Sequence, residues 1–191
     1  MKLGRCLICV ALLTVTIACS QTRAPKTSAV ATPAPSTTPE NYPALAAQAK
    51  EISDALLRKD FDRLMDLTYP KVLEVGGGRE KMMAQARNEM KETEAQGVTV
   101  LSSTVSEPTQ IIHDAGSIYA VVVNTLKLKA RDGVFQTEST LIGVSSDNGA
   151  NWTFVDASGS DTGELKKILP AVANQLKLPP DKPAVKISNG N

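Results

Sequence analysis

Few side chains in this 191-residue chain are equipped for chemistry. His113 is the sole histidine and adjoins Asp114. A histidine beside a carboxylate can serve general acid–base catalysis, but only when a pocket holds the pair within hydrogen-bond reach of substrate. Here Ala115-Gly116 follows, so the pair reads as turn chemistry at a solvated hairpin. Asp66, Tyr69, Tyr119 and Asn124 are the polar groups able to line a cavity. Asn124 stands out because it shares strand parity with Ala120, Val122, Leu126 and Leu128, and a buried amide needs partners from backbone, water or a ligand. Met82, Met83 and Met90 either fill core gaps or adapt to an apolar ligand. Tyr69, Met83, Tyr119 and Asn124 form the candidate ligand-binding set, and no residue is assigned a catalytic role. A single histidine and no spaced carboxylate cluster leave no convincing metal-ligand set, so neither metal nor cofactor is expected.

Two strings resemble functional motifs. Gly76-Gly77-Gly78-Arg79-Glu80-Lys81 precedes a helix, as phosphate-cradling loops do. It fits neither G-x-x-x-x-G-K-[ST] nor G-x-G-x-x-G and joins two helices, so it reads as a connector. Ser145 to Phe154 matches S-x-D-x-G-x-x-W-T-F, similar to the Asp-box of sialidase propeller blades. A propeller repeats its blades, whereas this string occurs once. Asp147 is expected to bond turn amides, Gly149 to take positive φ, and Trp152 to pack back on the strand.

The chain opens with Lys2 and Arg5, an apolar run from Cys6 to Ile17, and Ala18-Cys19. This order is that of a secretory signal peptide, and the run is too short to span a membrane. Thr16-Ile17-Ala18-Cys19 resembles a bacterial lipoprotein box, although Leu is usual where Thr16 stands. That resemblance implies cleavage after residue 18, lipid on Cys19, and anchoring at a periplasmic or cell-surface membrane face by two or more acyl chains. Cleavage near Ala18 or Ala24 without lipid is the alternative. All three cysteines lie in residues 6–19, so no disulfide is expected, and Cys6-x-x-Cys9 is a chance product of the apolar run. Residues 19–41, with Pro25, Pro33, Pro35, Pro39 and many Ser and Thr, read as a spacer. Removing residues 1–18 takes two of the 21 basic residues and none of the 20 acidic ones. The near-neutral remainder argues against nucleic acid as a partner.

Residues 42–178 are expected to form one domain, with 179–191 as a flexible tail. Pro43 opens a helix over 44–59 with Leu45, Ala49, Ile52 and Leu56 on one face. Asp60 caps a short helix over 61–68 that Pro70 stops, and a third helix covers 79–95. Strands follow at 98–106, 109–114, 117–131, 134–145 and 151–157, punctuated by Glu107-Pro108, Asp114-Ala115-Gly116, Asp132-Gly133 and Asp147-Asn148-Gly149. Lys127, Lys129 and Arg131 alternate with Leu126 and Leu128, which predicts one wet and one covered face. A final amphipathic helix carries Leu165, Ile168, Leu169, Val172 and Leu176, kinked or split at Pro170.

This order, three helices packed on a curved antiparallel sheet with a C-terminal helix, is an α+β layout. Over most of residues 42–157 it resembles the nuclear transport factor 2-like cone, also found in ketosteroid isomerases and polyketide cyclases. The likeness implies a small apolar ligand between sheet and helices, an isomerase- or cyclase-type site, or a homodimer through open sheet faces. Non-enzymatic binding of a small apolar ligand or a protein partner is the leading expectation, with membrane attachment through Cys19.

Overall fold

A computed structural model describes residues 42–187. The segments expected as signal (1–18) and spacer (to 41), Cys19 between them, and residues 188–191 lie outside the described residues.

Helix α1 spans Pro43–Arg58 and begins with proline, whose missing N–H costs nothing in the first turn. It ends where Lys59 turns left-handed (φ 57°). Asp60 then caps α2 (Phe61–Leu67), its carboxylate accepting from the Arg63 amide at 3.1 Å. Pro70 does more than end this helix. It is also the first residue of α3 (Pro70–Val75), so four helices instead of three precede the sheet among the described residues. Gly78 links α3 to α4 (Arg79–Ala95) at φ 100°, ψ 161°, a conformation essentially reserved for glycine.

The sheet is antiparallel, has six strands, and does not close on itself. Its axis is the long hairpin of β3 (Ser117–Ala130) and β4 (Gly133–Ser145), joined through Arg131-Asp132 with Ala130 opposite Gly133. On one side β1 (Thr99–Val105) pairs with the distal half of β3, and β2 (Gln110–Asp114) pairs with its proximal half. The other side of β4 carries β5 (Thr153–Asp156) proximally and β6 (Val185–Ile187) distally. Strand β6 falls in the stretch expected as a tail. Its three residues lie opposite Val134, Phe135 and Gln136 and extend the edge that β5 leaves short.

The proximal half of the sheet is covered on both faces, where helices were expected on one. Helix α1 packs Leu45 and Ala49 against Ile118, Ala120, Val122, Leu141 and Phe154. On the opposite face Val121, Ile142 and Val155 meet Leu165 of α5 (Thr162–Ile168) and then Leu169, Val172 and Ala173. Two-sided burial explains why β3 begins as an unbroken apolar run, Ile118 to Val123, and alternates only beyond it. Pro170 splits the expected C-terminal helix: α5 stops at Ile168, and Ala173 and Leu176 continue as hydrogen-bonded turns. A third apolar cluster, Ala55, Leu64, Met65, Met82, Met83 and Ala86, joins α1, α2 and α4.

Candidate functional site

Asn124 lies on the α1 side of the sheet and is buried. Its side-chain oxygen accepts from the Ser103 hydroxyl at 2.6 Å, and its amide donates to Ser53 Oγ at 3.2 Å. Ser103 is also within hydrogen-bond distance of Ser53, at 2.8 Å. Strand pairing produces this cluster. Asn124 faces Val105 across the β1–β3 ladder, Ser103 is the next residue of β1 on the same face, and α1 brings Ser53 down between them. The amide singled out from sequence thus finds its partners in two serines that sequence reading passed over. Ser53 sits beside Ile52 in an apolar stripe, where a small hydroxyl gives little signal.

The four candidate ligand residues do not converge. Met83 is buried in the helical cluster with Leu64, Met65 and Ala86. Tyr69 and Tyr119 pack on the opposite sheet face, with Val121, Ile142 and Val144. Those two tyrosines are neighbours: burial pushes the Tyr119 phenol up, a hydrogen bond with Ser117 pulls it back, and Tyr69 and Asp114 add to the rise. Tyr69 is placed there because its amide bonds to the Phe154 carbonyl at 2.9 Å, docking the α2–α3 junction on β5. Asp66 is exposed and paired to Arg79 at 2.8 Å, while His113 is exposed on β2. The Gly76–Lys81 string includes Arg79, which holds α2 through Asp62 and Asp66.

One group escaped the sequence reading. Glu89 lies on the same face of α4 as Met82 and Ala86, one to two turns further along. One of its carboxylate oxygens accepts from Gln85 Nε2 at 2.8 Å, and the other is buried with no hydrogen-bond partner. Burial raises its carboxyl above the usual range, against the Gln85 bond, and Glu92 adds to the rise. The signal was legible: a carboxylate continuing the Met82–Ala86 stripe at helical spacing. Asp156 is also pushed up, first by burial and then by Asp181, against hydrogen bonds from Ser158. It sits on β5, where Ser158 N–H donates to it at 2.9 Å. Among the described residues no group of three His, Cys, Asp or Glu could hold a metal ion.

The Ser145–Phe154 string forms a clasp. Asp147 accepts from the Ser145 hydroxyl (2.8 Å), the Asn151 backbone N–H (2.9 Å) and the Asn151 side chain (2.7 Å), and these bonds lower its carboxyl to about 2. The Trp152 indole donates to the Gly149 carbonyl at 2.9 Å. Gln48 of α1 closes over the turn, accepting from Trp152 N–H at 2.8 Å and donating to the Ala150 carbonyl at 3.2 Å. Tyr42 meets Trp152 edge to face at 5.5 Å.

Neither protein-family models nor curated proteins give a match to this chain, so a functional reading rests on its own residues.

Proposed function

We propose that this chain is an exported bacterial lipoprotein, anchored through lipid on Cys19, whose nuclear transport factor 2-like domain binds a small, mostly apolar ligand without catalysing a reaction. The observation that carries the binding reading is the buried, unpartnered oxygen of Glu89 on the helical face that includes Met82 and Ala86. A lone buried acceptor at the end of an apolar helical stripe is the kind of polar anchor that fixes a ligand's orientation. The Asn124 amide, by contrast, is already bonded to Ser103 and Ser53. Glu89 would then accept a hydrogen bond from a hydroxyl or amine on the ligand.

Native and denaturing mass spectrometry of the purified protein tests this. A small molecule released on denaturation, and lost in Glu89→Gln, supports the reading; an empty wild-type protein, or a small molecule that Glu89→Gln retains, sinks it. Anchoring has a separate check. Cys19→Ala is expected to move the protein from the membrane to the soluble fraction, and a wild-type protein already soluble would end the lipoprotein reading.

A further inference from the structure

Beyond residue 124 the face of the sheet opposite α1 leaves the cover of α5 and carries a row of cations. Lys127, Lys129 and Arg131 alternate along β3 into the turn and are all exposed. Side chains two apart on a strand lie about 7 Å from one another on one face. Elsewhere Lys50, Arg58, Lys59, Lys71 and Arg79 each hold a carboxylate at 2.6 to 2.8 Å, but among the described residues these three make no ion pair. Ser102 of β1 lies opposite Lys127 and is exposed. Two of the most exposed large apolar side chains flank the row: Leu101 (50% exposed), at the β1 irregularity, and Val185 (60% exposed), across Gln136 from Lys127.

We infer that this face docks on an anionic lipid bilayer. Ammonium and guanidinium groups interspersed with exposed aliphatic side chains match a charged headgroup layer over an apolar interior, and each cation near such a surface is worth about fivefold in partition. The placement of the N-terminal segment agrees. Tyr42 lies beside Trp152, at the proximal end of the β3–β4 ladder, while the cations lie at the distal end, about 45 Å away along the 14-residue β3. Residues 19–41 can extend at most about 80 Å. A domain tethered at Cys19 can therefore lie down and bring its far end to the same membrane, where the tether raises the local concentration of the cationic face at the bilayer. The docking face itself does not depend on the lipid or on the ligand at Glu89.

Lysine footprinting of the full-length protein tests the docking, with a membrane-impermeant acylating reagent and mass spectrometry to read each lysine. The protein is placed in detergent, in phosphatidylcholine vesicles, or in vesicles of phosphatidylcholine and phosphatidylglycerol in equal parts. Lys127 and Lys129 should be shielded only on the phosphatidylglycerol vesicles, and the shielding should fade with added salt. Lys50, exposed on α1 over the opposite sheet face, should label equally throughout. Lys129→Gln with Arg131→Gln should weaken the shielding of Lys127 about 25-fold at about fivefold per cation, and Lys129→Arg should preserve it. Equal labelling of Lys127 in all three settings overturns the inference. So does shielding by polyglutamate in detergent without shielding by anionic vesicles, which would make the occupant an acidic peptide.

Discussion

Asn124 shows how a buried amide is accommodated: its partners are two hydroxyls, one from a neighbouring strand and one from the covering helix. Because Ser53 is shared by Ser103 and Asn124, removing any member leaves the others short of a partner. Asn124→Ala should cost about 1–3 kcal/mol in urea unfolding, and Ser53→Ala combined with Asn124→Ala should cost less than the sum of the two single changes. Two carboxylates work in opposite directions with pH. Asp147 is lowered from 3.8 to about 2 when folded. Its ionised form contributes stability that is present above pH 3.8 and lost as pH falls through about 2. Asp147→Asn should flatten that part of the melting-temperature profile. Glu89 is raised on folding, so its contribution is present at low pH and is lost as pH rises through its folded value. In the absence of ligand, Glu89→Gln should therefore raise the melting temperature at neutral pH.

At the scale of elements, local signals placed most of the helices and strands because they act within a few residues. Pro43 and Asp60 mark helix starts: Pro43 through its fixed φ, Asp60 through a carboxylate that meets the Arg63 amide. Helix α3 went unread because Pro70 signals both an end and a beginning, and only the docking of Tyr69 on Phe154 shows that both apply. Strand β6 has three residues and no alternation of its own; it exists because β4 offers an unpaired edge at Val134–Gln136. Truncation after Ala184 should leave all three apolar clusters folded while speeding amide exchange over residues 134–136. Unchanged exchange there would mean that β6 does not hold that edge in solution.

For the whole molecule, the decisive feature is a sheet buried on both faces at one end and on one face only at the other, where Leu128 is buried between exposed Lys127 and Lys129. Val121 and Val122 are both fully buried, facing α5 and α1 respectively. Val121→Ala and Val122→Ala should each cost about 2 kcal/mol by denaturant unfolding. A sheet with one wet face would make one of the two nearly neutral. The same division separates the candidate residues: Tyr69 and Tyr119 fall to the α5 side, Asn124 to the α1 side and Met83 to the helices.

The sequence by itself determined the α+β class, the hairpin spacing, the turn chemistry of the Asp147 loop and the exposure of Lys127 and Lys129. Each follows from periodicity or from hydrogen bonds spanning a few residues. Only the tertiary structure decided which polar groups meet. Ser53 and Asn124 are 71 positions apart, and Gln48 lies 104 positions before Trp152. Such pairs leave no local trace, because they form when α1 packs across a sheet whose strands follow it in the chain.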